Sequence, residues 1–88
     1  MDFLHKELHL RAGDIVEVHA SHPCIILVME AAEFERYRRG EKHRCHHGGY
    51  FAVLPARITA PDDGVWHIVI DAGRFMPDLS HDIRIYPV

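Results

Sequence analysis

Residues 56–71, ARITAPDDGVWHIVID, constrain the fold more than any other stretch of the chain. Two β-type runs flank Pro61-Asp62-Asp63-Gly64, a segment with strong turn chemistry. Proline fixes φ, aspartate bonds its own backbone, and glycine tolerates positive φ. Before the turn, Ala56, Ile58 and Ala60 alternate with Arg57 and Thr59. After it, Trp66, Ile68 and Ile70 share one face, while Val65, His67, Val69 and Asp71 share the other. Period two on both sides of a turn predicts a hairpin. The second run is apolar on both faces, which predicts a central strand rather than an edge.

The remaining chain repeats this grammar in short units. Leu4, Leu8 and Leu10 alternate with His5, Glu7 and His9, and Lys6 interrupts the apolar side as an edge blocker would. Residues 15–20 put Val16, Val18 and Ala20 inward, with Glu17 and His19 outward. CIILVM at 24–29 reads as a buried strand, with Cys24 as a small hydrophobe. Ala31–Arg39 is the one helix expected. Its glutamates come early, its arginines late, Glu35 and Arg39 are spaced i,i+4, and Gly40 follows as a C-terminal stop. Phe34 and Tyr37 lie on one side and would pin it to a sheet. Further strands are expected at 50–54, broken at Pro55, and at 80–86, with a loop at 72–78. Six or seven short strands with closely spaced turn signals predict an all-β, mainly antiparallel fold, a small sandwich or barrel with one short helix near 31–39.

Eighty-eight residues make one domain, residues 1–88, with one modest core. A net charge of −3 provides no basic field to recruit nucleic acid or an anionic membrane. No apolar run approaches the ~20 residues that span a bilayer. The charged N-terminus lacks the apolar centre of a signal peptide, so a cytoplasmic location is expected. Two cysteines, Cys24 and Cys45, are too few for a disulfide framework and read as free thiols.

Histidine is the compositional anomaly, nine in all. In KHRCHHGG an extended chain would turn His43, Cys45 and His47 the same way, a possible zinc or copper set. The second half of a paired-ligand signature is missing, and Cys24 or His22 completes the set only if the fold brings them near. Exposed histidines on a polar loop are the plainer reading, and no metal is expected. His67 reads as a structural histidine, since Asp71 on its face lies about 13 Å along the strand at ~3.3 Å per residue. No nucleophile, base and orienting group can be assembled around it, so no catalytic residues are assigned. His5, His9 and His19 read as solvent-facing. Cys45, between Arg44 and His46, is a candidate reactive thiol against the plainer reading of an inert exposed one. Arg36, Arg38, Arg39, Lys42 and Arg44 are a candidate anion site, or more simply a solvated helix end diluted by glutamates.

Several landmarks resemble one family. MDFLH followed by GDIVEV, EFERYRRG followed by HHGG, and PARITAPDDGVWHIVIDAG are similar to the small bacterial domain family DUF1883, of unknown function, over residues 1–85. The resemblance implies a compact β-rich domain that stands alone or, in some members, is joined to a TIR domain. It implies no catalytic residues. Cys45 and His46 depart from the family pattern, which has an aromatic residue there, and this counts against a family-wide metal site.

The leading functional expectation is a non-enzymatic module that binds a small ligand or a protein. Its expected site is the surface around the helix end and the next loop: Tyr37, Arg38, His43, His47 and Tyr50. Use of an open sheet edge instead would give a homodimer.

Overall fold

The computed structural model describes residues 3–88. Seven strands form two antiparallel sheets: β1 (Leu4–Leu10), β2 (Ile15–Ala20), β3 (Cys24–Met29), β4 (His47–Phe51), β5 (Ala56–Thr59), β6 (Gly64–Asp71) and β7 (His81–Tyr86). One sheet has the order β1-β6-β3-β4 and the other β5-β2-β7. The helix α1 covers Ala31–Arg38, and a 3-10 segment occupies Gly73–Asp78 where a loop is expected. The sheets do not close into a barrel, so the sandwich alternative holds. No helix among the described residues is long and apolar enough to cross a membrane.

The main core lies between the sheets. Leu8 and Leu10, Val16 and Val18, Cys24, Ile26 and Val28, Ala56 and Ile58, and Trp66, Ile68 and Ile70 meet there, each strand contributing every second residue. Each fully buried aliphatic side chain among them contributes about 1.5–3 kcal/mol. Trp66 keeps its indole N–H satisfied by donating to the Asp62 carbonyl at 3.0 Å. Cys24 is buried as expected, and burial followed by the Asp71 charge pushes its thiol pKa up.

The expected hairpin does not exist. β5 pairs with β2 (Ile15 opposite Thr59), whereas β6 pairs with β1 and β3. The Pro61–Gly64 turn carries the chain from one sheet to the other. Ala56, Ile58 and Ala60 and Trp66, Ile68 and Ile70 face the same core from opposite sides. Alternation reports which residues are inside and cannot report from which sheet, and that is why the hairpin reading failed. The central position of β6 is as expected, and so is β1 at an edge.

A second, smaller core lies on the outer face of the larger sheet. Phe34 packs there with Leu27, Met29 and Val69, flanked by Phe3 and Tyr37. The helix thus docks as expected, and Gly40 takes a φ of 76° beyond its end. Glu35 pairs with Arg38 rather than Arg39, which reaches Glu41 instead. β4 begins three residues earlier than expected and contains Gly48 and Gly49. A Cβ on Gly48 would stand 2.6 Å from Cys45 Sγ and 2.9 Å from Leu27 Cδ2, so the loop and the neighbouring strand already fill that space.

On the outer face of the smaller sheet Glu17 is buried, against expectation, with only 3% of its surface exposed. Arg57 Nε donates to its Oε2 at 2.8 Å, and His19 Nε2 and Tyr86 Oη reach its Oε1. Bonds from His19 and then Arg57 hold its carboxyl below the usual range.

Candidate functional site

The outer face of the four-stranded sheet collects most of the chemistry. Odd-numbered residues of β1, β3 and β6 point to it because Trp66, Ile68 and the other even-numbered residues are committed to the main core. Directly opposed residues share a face, so register places the rest. Glu7 stands opposite His67, His67 opposite Met29, Val69 opposite His5, and Ile25 between Asp71 and Tyr50.

At the β1 end, His5 Nε2 and His67 Nδ1 share a hydrogen bond of 2.7 Å. The ring centroids are 4.9 Å apart and the planes differ by 4°. Such a separation is what two imidazole radii and one in-line bond add up to, so the rings lie edge to edge in one plane. Phe34 roofs both in parallel, at 3.9 Å from His5 and 4.9 Å from His67. His67 is 7% exposed, and its Nε2 is buried without a hydrogen-bond partner among the described residues. The nearest anion to it is Glu7 Oε1 at 3.8 Å. Burial, then the neighbouring His67, lower the His5 pKa, while Glu7 and Glu35 oppose that shift. The two rings share one proton across this bond, and among the described residues no nucleophile is bonded to either. His5 is exposed as expected, although its ring is bonded to His67, and His19 is half-exposed beside Glu17. His67 is bonded to a neighbour as expected, and the carboxylate nearest its ring is Glu7 of the adjoining strand rather than Asp71.

At the β4 end the face is open. Tyr37 meets the His43 ring edge-on at 5.1 Å and Phe3 at 5.2 Å. Burial, then the charge of Asp71, push the Tyr37 hydroxyl pKa up, which places the carboxylate nearby. Ile25 is 40% exposed and Tyr50 is 67% exposed. Tyr37, His43 and Tyr50 thus lie on one side of the sheet. Arg38 is held by Glu35 on the helix surface. His47 stands opposite Val28, so it faces the side of the main core, away from Tyr50. Ile25 and Asp71 complete this face, and sequence alone marks neither, because only strand order sets them between the two tyrosines.

His43, Cys45 and His47 do not converge. Among the described residues no group of three metal-type side chains could hold an ion. Cys45 packs against Gly48, His43 against Tyr37, and His47 lies on the other face. Cys45 and His46 line a cleft of ≈ 410 Å³ with Glu30, Glu33 and Arg44. Its two carboxylates are engaged: Glu33 accepts from Arg36 and from the Arg44 N–H, and Glu30 stands 3.6 Å from His46. Arg36, Arg38 and Arg39 are likewise paired with glutamates, which favours the solvated helix end over an anion site.

Such an arrangement defines a small antiparallel β-sandwich domain with a helix-roofed face and an open aromatic edge. The chain belongs to the family described as a domain of unknown function, DUF1883, whose model matches residues 1–85. No curated protein and no solved structure matches it.

Proposed function

We propose that this domain is a non-enzymatic protein-binding module that takes an extended polypeptide segment along β4. The observation that carries the reading is the free edge of β4, the last strand of its sheet, set beside exposed Tyr50 and Ile25 and the Tyr37–His43 contact. An added strand bonds to the main chain of such an edge, and neighbouring side chains supply selectivity. Tyr50 and Tyr37 offer large rigid contact area of the kind enriched in binding surfaces.

Peptides selected from a random display library against the immobilised domain provide the test. Selected peptides should slow amide exchange in residues 47–51 and shift the Tyr37 and Tyr50 ring signals. Protection at another strand, or no selection above background, would overturn the reading.

A further inference from the structure

Among the described residues the sandwich has four free strand edges, β1, β4, β5 and β7. Three carry formal charge: Lys6 and Glu7 on β1, Arg57 on β5, Asp82 and Arg84 on β7. Charged edge residues are a standard way to prevent strands of different molecules from pairing. β4, HGGYF, carries no Asp, Glu, Lys or Arg. Nor does the longer run from Cys45 to Ala56. Within that run Val53 is 83% exposed, so apolar surface continues past the strand.

We infer that the segment β4 accepts is β4 of a second copy of this chain, paired antiparallel about a two-fold axis at Gly49. The inference rests on β4 being the docking edge and names its occupant. A two-fold at Gly49 sets only that residue against its own mate, and because β4 holds no Asp, Glu, Lys or Arg the new ladder would bury no formal charge. The register also suits the shapes. Gly48 falls opposite Tyr50 of the second copy, Gly49 opposite itself, and His47 opposite Phe51. Each bulky aromatic therefore meets a residue without a side chain or a flat imidazole. Over Gly48 the Tyr50 ring of the second copy would meet Cys45 Sγ and Leu27 Cδ2, which already stand where a Cβ would be. The two four-stranded sheets become one sheet of eight strands, and both edges it retains are the charged β1.

Sedimentation of the full chain over a wide concentration range tests this, with Tyr50→Lys as the edge variant and His81→Lys as a matched charge on β7. The wild type and His81→Lys should reach the mass of two copies at high concentration, and Tyr50→Lys should stay at one. A wild type that remains a single copy, a Tyr50→Lys that still pairs, or equal losses in both variants would overturn the inference. If Tyr50→Lys fails to fold, amide exchange of the wild type decides. Protection at residues 47–51 should rise with concentration, and protection independent of concentration would sink the two-fold. A single-copy wild type whose β4 amides are still protected by library peptides would refute the second copy alone. The absence of both effects would remove the docking edge itself.

Discussion

His5 and His67, 62 positions apart in sequence, lie in one plane and share a single 2.7 Å hydrogen bond under the ring of Phe34. Each bond of this kind needs one nitrogen with a proton and one without, so the pair favours at least one neutral ring.

Stability should therefore fall in acid in two stages. The His5 pKa is lowered from its ordinary 6.5, so the unfolded chain binds more protons just below that pH. Stability present above about 6.5 is lost as pH falls toward the lowered folded value. Glu17, Asp14, Glu35 and Asp82 are held below ordinary carboxylate values, chiefly by hydrogen bonds, and their contribution disappears only in stronger acid. Urea titrations from pH 8 to pH 3 should show two descents, and His5→Phe should remove much of the first. A single descent in the wild type would contradict the role given to the pair.

Phe34→Ala strips the roof from both imidazoles and the centre from the helix contact. A loss of about 3–5 kcal/mol is expected for so large a buried side chain. Since burial is the foremost cause of the lowered His5 pKa, the imidazole should titrate closer to its ordinary value in this variant. Histidine proton resonances followed against pH would show it, and an unmoved midpoint would refute the desolvation argument.

Gly48→Ala should destabilise the domain by about 1–3 kcal/mol through overpacking. The new methyl group meets Cys45 Sγ and Leu27 Cδ2. Adding Cys45→Gly should restore part of the loss in thermal melts, because it vacates one of the two contacts. Equal melting temperatures for Gly48→Ala and the wild type would show that the loop yields freely.

Glu17→Gln leaves Arg57 and His19 without a carboxylate. The variant should melt lower at pH 7 and show a shallower loss of stability in strong acid, since one depressed carboxyl no longer titrates. An unchanged acid limb would mean that Glu17 titrates alike in the folded and unfolded chains.

Zinc should leave the melting temperature of the wild type where it is, and the double variant His43→Ala, His47→Ala should behave the same. Register in β4 turns His47 away from His43, and no ligand set forms among the described residues. A melting temperature raised by zinc in the wild type alone would restore the metal reading.

Local pattern carried much of this fold. The two faces of β6, the Phe34 and Tyr37 stripe and the Gly40 stop follow from periods of 2 and 3.6 and from end chemistry. Strand partners do not follow from such signals. The alternation on either side of Pro61 is the same whether the two runs pair or face each other across a core, and only the latter occurs. The site divides along the same line. Tyr37, His43 and Tyr50 were legible as aromatic and polar residues near a glycine pair. The His5–His67 bond was not, because it depends on β1 lying beside β6. Parity turns Glu17 outward, which is correct, but the Arg57 and Tyr86 groups that join His19 over it come from two other strands.

The turn that crosses between the sheets has a kinetic consequence. Of the five strand pairings, only β3 with β4 joins strands that are neighbours along the chain, and even those are separated by α1. No tight hairpin is available to start the folding reaction. During synthesis β1 and β2 emerge first and stay unpaired until β5 and β6 have followed, leaving alternating apolar strands exposed meanwhile. Closing such long loops before any ladder forms places this small domain among the slow folders, in milliseconds to seconds rather than microseconds.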